Sequence, residues 1–122
     1  MIPPFGCETR AVYNAWDGQA KVRERALRED SEWSAGEINQ GSLREILDND
    51  LEEPACLIEP QLRDIRDELR RVRGQLSSLT GSGSCFFSLR ESPQFDRAEW
   101  LLCLDKIGRK FSARTLIAHL TC

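Results

Sequence analysis

Long apolar runs are missing from this sequence, and nothing approaches the ~20 consecutive apolar residues that a bilayer-spanning helix requires. The opening Met1-Ile2-Pro3-Pro4-Phe5-Gly6 has neither a basic n-region nor an apolar h-region, so no secretory signal is read there. With neither feature, the expectation is a cytoplasmic protein without membrane attachment. Histidine is nearly absent: His119 is the only one, and no C-x-x-C pair accompanies it. Zinc-site spacing and a Cys–His catalytic pair are therefore not expected, and no metal ligand is assigned. A basic excess is also lacking, since 17 Lys and Arg face 20 Asp and Glu for a net charge of −3. Proteins that hold nucleic acid concentrate positive charge on one face, so a nucleic-acid partner is not expected.

What is present fits one soluble globular domain over residues 1–122, with 40% hydrophobic and 30% charged residues. Arg63, Arg66, Arg70, Arg71 and Arg73 are interleaved with Asp64, Asp67 and Glu68, the pattern of a solvated helix face with i,i+4 ion pairs. The five cysteines, Cys7, Cys56, Cys85, Cys103 and Cys122, are odd in number and widely spaced. Cys56, Cys85 and Cys103 sit among apolar neighbours and read as reduced, structural thiols.

Along the chain, Thr9 reads as the N-cap for a helix through Asp17, with Val12, Ala15 and Trp16 at helical spacing and Gly18 as its stop. A polar stretch over about 19–41 reads as a ragged helix and a variable surface loop. Ser42-Leu43-Arg44-Glu45 is a capping box, and Leu43, Ile46, Leu47 and Leu51 predict an amphipathic helix that Pro54 interrupts or kinks. Ala55 to Ile58 is expected as an apolar turn. Pro60 suits the first turn of a further helix burying Leu62, Ile65, Leu69 and Val72 and stopping at Gly74. Leu76–Leu79 and Cys85–Leu89 have strand character. Ser92-Pro93 predicts the start of a helix reaching about Lys110, packing Phe95, Ala98, Leu101, Leu102 and Leu104. Phe111–Leu120 reads as a final strand by its period of two. This order suits an α+β fold with helices on one side of a small antiparallel sheet.

Chemistry is concentrated in Thr80-Gly81-Ser82-Gly83-Ser84. Alternate glycines permit positive φ, so successive N–H groups can converge on an anion, most often phosphate. Three hydroxyls add adjustable donors and acceptors. The same residues also favour a plain hairpin turn between strands. The loop matches neither a Walker A sequence nor a dinucleotide fingerprint, and the residues alone leave both readings open.

Four segments in order resemble one family. Pro3-Pro4-Phe5-Gly6-Cys7-Glu8-Thr9-Arg10-Ala11-Val12-Tyr13, Asn49-Asp50-Leu51-Glu52-Glu53-Pro54-Ala55, Pro60-Gln61-Leu62 and Leu79-Thr80-Gly81-Ser82-Gly83-Ser84-Cys85-Phe86-Phe87 are similar to motifs of the GHMP kinase superfamily. The N-D-L-E-x-P-A segment is most like that of the diphosphocytidyl-methylerythritol kinases. The resemblance implies a ferredoxin-like C-terminal kinase domain whose full-length relatives move the γ-phosphate of ATP, with magnesium, to the 2-hydroxyl of their substrate in non-mevalonate isoprenoid synthesis. It implies that Thr80, Gly81, Ser82, Gly83 and Ser84 help form the site around phosphates and the diphosphocytidyl-methylerythritol substrate. Asn49 and Asp50 match the family motif as packing support, not as ligands.

The family's phosphate loop, lysine motif and catalytic aspartate belong to an N-terminal domain not found in these residues, so no residue here is assigned a catalytic role. Phosphoryl transfer depends on such groups. The expectation is a chain inactive alone and without tight nucleotide binding. Of the strand that the family runs into Pro-Pro-Phe-Gly, only Met1-Ile2 is present, which implies an exposed sheet edge. Three fates remain: a domain completed by a separate N-terminal half, a non-catalytic ferredoxin-like module that binds an anion, a partner or itself through that edge, or a gene remnant.

Overall fold

The computed structural model describes residues 1–20, 47–90 and 96–118. Among them the chain forms helices α1 (Thr9–Ala20), α2 (Glu52–Ile58) and α3 (Pro60–Arg71), strands β1 (Gln75–Leu79) and β2 (Phe86–Arg90), and helix α4 (Arg97–Lys110). The strands pair antiparallel in one sheet, from Leu79↔Phe86 to Gln75↔Arg90. This is an α+β arrangement, and none of its helices is long and apolar enough to cross a membrane.

Thr9 is the first residue of α1 and not its cap, and the helix runs through Gly18 to Ala20. An internal glycine costs only about 1 kcal/mol relative to alanine, too little to end a helix by itself. Val12 is fully buried, while Trp16 stays exposed. The expected helix from Leu43 to Leu51 is corrected where it can be seen. Residues 47–51 are turn or irregular, and α2 begins afterwards at Glu52. The capping box and Ile46 lie outside the described residues. Pro54 does not break a helix; it sits in the first turn of α2, where N–H groups have no intrahelical acceptor. Ala55 to Ile58 is likewise helix and not turn.

Helix α3 follows its expectation closely. Pro60 opens it, the Glu59 carboxylate accepts the Gln61 N–H, and Arg70 and Arg71 complement the dipole at its end. Leu62, Ile65 and Leu69 point inward with no exposed surface. Gly74, at φ 69°, turns the chain into β1.

Asp96 caps α4 by accepting the Ala98 N–H at 2.8 Å, whereas Ser92, Pro93 and Phe95 lie outside the described residues. The buried stripe of α4 is Leu104, Ile107 and Gly108, with Trp100 and Leu101 partly buried beside it. Ala98 and Leu102 are exposed, so the helix is rotated from the expected face. The i, i+4, i+7 relation of Trp100, Leu104 and Ile107 sets that rotation. Val12, Ala55, Leu62, Ile65, Leu69, Leu79, Phe86, Leu104 and Ile107 form one core.

The final strand is not formed over the described part of 111–120. Ser112 takes φ 53°, and a single antiparallel bridge joins Ile2 to Arg114 through bonds of 2.7 and 2.8 Å. Pro3 and Pro4 have no N–H with which to lengthen that ladder. Met1 in turn commits its backbone to Phe86, donating at 2.5 Å and accepting at 2.9 Å. Residues 1–2 therefore stand between the start of β2 and Arg114.

Candidate functional site: the glycine-rich β1–β2 loop

Residues 80–84 lie within the 80–85 connection from β1 to β2, so the loop occupies a hairpin end and not an isolated surface coil. The Thr80 N–H and hydroxyl both donate to the Cys85 carbonyl at 2.8 Å, and the Gly83 N–H donates to the Thr80 carbonyl at 3.1 Å. Gly81 at φ 55° and Gly83 at φ 100° supply the left-handed conformations expected from the sequence. The two glycines serve different ends. A Cβ on Gly83 would lie 3.3 Å from that of Cys7 and 3.5 Å from methyls of Leu62 and Leu79, so here glycine permits close packing. A Cβ on Gly81 would meet nothing within 4 Å, so this side of the loop is open.

The loop is fastened to the N-terminal segment. The buried Ser84 hydroxyl donates to the Phe5 carbonyl at 2.6 Å, and the Ser82 and Thr9 hydroxyls share a hydrogen bond of 3.0 Å. Ser82 therefore lies at the first turn of α1, where unsatisfied N–H groups favour negative charge. Among the described residues, the N–H groups of Gly81, Ser82 and Ser84 donate to no other protein group.

Residues not expected in the site hold its back. Asn49 Nδ2 donates to the carbonyls of Leu79 at 2.7 Å and Gly81 at 2.8 Å, while Asn49 Oδ1 accepts the Leu51 N–H at 3.0 Å. Glu52, only 6% exposed, accepts the Leu79 N–H at 3.1 Å. Leu79 is opposite Phe86 in the β1–β2 register, yet its own N–H and C=O turn outward to these two side chains. Asn49 and Glu52 thus stand in for a neighbouring strand along β1, three residues apart in one segment.

The arginine cluster does more than line a solvated face. Arg66 is 9% exposed and bonds Glu53 at 2.6 Å and Asp67 at 3.1 Å. Arg70 reaches Glu52 at 2.5 Å, whereas Arg71 makes a local pair with Glu68 at 3.1 Å, spaced i,i+3 and not the expected i,i+4. Burial works against the Arg66 charge, but the bond to Asp67 and the surrounding carboxylates hold its pKa above the usual arginine value.

Cys7, Cys56, Cys85 and Cys103 are free thiols, as expected; Cys122 and His119 lie outside the described residues. Burial pushes the Cys56 thiol up to about 11, with Arg66 opposing the shift and Glu52 and Glu53 adding to it. Burial also raises Cys7, and Glu59 reinforces the effect. Thiols raised this way are poor nucleophiles. A groove of about 390 Å³ between α3 and α4 is lined by Glu68, Arg71, Trp100 and Lys106 among others, and contains none of residues 80–84.

Comparison with known proteins turns on two relatives. A 4-diphosphocytidyl-2-C-methyl-D-erythritol kinase of Carboxydothermus hydrogenoformans is 32% identical over 120 residues, covering 98% of this chain and 41% of the relative. The chain is a relative of these kinases. A second protein of the same name, from Novosphingobium aromaticivorans, is 28% identical over 95 residues, covering 75% of this chain and 28% of that protein. The chain thus spans less than half the length of the kinases it matches. No family model matches it, and no solved structure does. The stretch shared with the first kinase takes in nearly the whole chain, so it includes most or all of the elements that build and fasten the loop.

Proposed function

We propose that this chain is the C-terminal, loop-bearing domain of a 4-diphosphocytidyl-2-C-methyl-D-erythritol kinase, a single ferredoxin-like GHMP domain over residues 1–122. In this reading the complete enzyme transfers the γ-phosphate of magnesium-bound ATP to the 2-hydroxyl of its diphosphocytidyl substrate in the cytoplasm. Gly81 and Ser82 contribute backbone N–H groups to a phosphate; Gly83, whose N–H is held by the Thr80 carbonyl, shapes the loop backbone, and Thr80 and Ser84 flank them. The observation that carries the reading is the exposed Gly81–Ser82 edge of the loop, with two unengaged N–H donors beside the first turn of α1. The ferredoxin-like assignment is supported by residues 1–2 pairing with β2 on one side and Arg114 on the other.

What the loop can turn toward a phosphate is its N–H donors. It offers no carboxylate to accept the substrate's proton, and phosphoryl transfer needs a positioned base or metal besides donors. Its share of the work is to hold phosphate oxygens and withdraw charge from them. The chemistry itself is assigned to a separate N-terminal half that supplies the remaining groups, and the isolated chain is inactive and holds nucleotide weakly.

The test is ADP release by the purified chain with Mg-ATP and the diphosphocytidyl substrate, alone and with the N-terminal half of a related kinase added in trans. Turnover only with the added half is expected. Turnover by the chain alone overturns the assignment of the chemistry elsewhere, and silence in both overturns the kinase role.

A second reading, a non-catalytic module that associates through a sheet edge, has one observation in its favour. Among the described residues, no backbone bond from Phe87, Ser88 or Leu89 reaches a third segment on the β2 edge away from β1. Sedimentation of the chain separates the two, because edge pairing predicts self-association that depends on concentration.

A further inference from the structure

We infer that Asn49 is a positioning residue of the loop, fixing the direction in which the Ser82 N–H points and thereby the affinity of the site for a phosphate group. The inference rests on the phosphate-binding reading of residues 80–84.

The geometry leaves Asn49 a single way to serve. Its Oδ1 accepts the Leu51 N–H at 3.0 Å, so its amide nitrogen faces the opposite way. There it donates twice, to the Leu79 carbonyl at 2.7 Å and the Gly81 carbonyl at 2.8 Å. In a trans peptide the C=O and the following N–H point in opposite directions. Drawing the Gly81 carbonyl toward Asn49 therefore aims the Ser82 N–H away from it. The Thr80 carbonyl is held by Gly83, so the Gly81 N–H is likewise turned out of the loop. Gly81 is exposed and has open space where a side chain would be, so an anion has room to approach these donors.

Without the amide, no other described residue holds the Gly81 carbonyl. Glycine populates both signs of φ almost equally, so the Gly81–Ser82 peptide can rotate and present an oxygen where the N–H had been. A carbonyl oxygen repels phosphate where an N–H attracts it. Asn49 touches no ligand in this scheme; it acts through the peptide it holds. The Glu52 bond to the Leu79 N–H anchors the strand end but leaves the Gly81 peptide unconstrained.

The experiment is a titration of the isotope-labelled full chain with inorganic phosphate, following amide resonances of residues 80–84. Asn49→Ser is the variant of choice, because its hydroxyl can still accept the Leu51 N–H but cannot span the two carbonyls. Asn49→Thr repeats the design should the serine variant fail to fold. The expected result is a phosphate-dependent shift of the Gly81 and Ser82 amides in the unaltered chain. In the variant, about tenfold weaker affinity and loss of the Ser82 shift are expected, with the β1–β2 resonances unchanged, the scale set by loss of hydrogen bonds to a charged group. Undiminished phosphate affinity in the folded variant overturns the role of Asn49 alone. Absence of any phosphate-dependent shift in the unaltered chain overturns the phosphate-binding reading and the positioning role with it.

Discussion

The Glu52 carboxylate accepts the Leu79 N–H at 3.1 Å with one oxygen and meets Arg70 at 2.5 Å with the other. One buried side chain thereby satisfies an outward-facing backbone donor of β1 and ties α2 to α3. Removing it leaves the Leu79 N–H without its acceptor and takes a carboxylate from beside Arg66 and Arg70. Glu52→Ala is expected to destabilise the fold by about 3 kcal/mol, the scale for breaking a buried charge pair. Glu52→Gln keeps an acceptor for Leu79 and should cost less. Urea unfolding of both variants is the check, and equal losses would contradict the backbone role.

That relationship also marks where sequence reading runs short. Helix α3 was legible because Pro60, Leu62, Ile65, Leu69 and Gly74 combine a start signal, one period and a stop. The hairpin was legible because its glycines are flanked by short apolar runs. Glu52 carried no such signal: a glutamate in N-D-L-E-E looks solvated, and only the fold brings it under β1. Asn49 reads as helix-packing support, whereas its amide holds two carbonyls of β1 and the loop, and those bonds depend on a strand thirty residues away. The final strand was misread because a period of two says nothing about whether a partner exists. Pro3 and Pro4 withhold that partner beyond Ile2.

The two loop glycines should respond unequally to alanine. At Gly81 the penalty is the left-handed backbone alone, about 1–2 kcal/mol. At Gly83 the backbone is at φ 100° and the new methyl meets Cys7 at 3.3 Å, with Leu62 and Leu79 close behind. Gly83→Ala should therefore be the more destabilising by about 1 kcal/mol or more, the cost of overpacking. Thermal unfolding of the pair decides it, and a Gly81 variant weaker than the Gly83 variant would rule the packing account out.

Cys56 gives the fold a distinct alkaline limit. Its thiol is pushed up to about 11 by burial, above the ordinary value of 9.0. A group whose folded pKa is raised contributes stability that is complete below the unfolded value and is lost as pH climbs toward the folded one. The loss should fall between pH 9 and about 11, as the unfolded chain ionises while the folded chain does not. Two units correspond to about 2–3 kcal/mol. Comparing stability with pH for the parent chain and for Cys56→Ala isolates this contribution, which the variant should lack. Thiol-reactive probes should label Cys103 well before Cys56, and the reverse order would defeat the burial argument.

Trp100 and Gln75 offer a test of how α4 is held. The indole Nε1 donates to Gln75 Oε1 at 2.6 Å, and Gln75 Nε2 donates to the Leu69 carbonyl at 2.5 Å, so one chain of bonds links α4, β1 and α3. Gln75 is 7% exposed, and its oxygen depends on the indole. Trp100→Phe preserves an aromatic ring at the site but strands that oxygen, at a cost of about 1–3 kcal/mol. Gln75→Met takes away the oxygen and the amide together. The Leu69 carbonyl still receives the Val72 N–H at 3.2 Å, and Trp100, being only partly buried, can turn its N–H to water. With the stranded oxygen gone, the double variant should be less destabilised than the sum of the two single changes, by about 1 kcal/mol. Strict additivity in a double-mutant cycle would mean that the two side chains act independently and that α4 is held by its apolar stripe alone.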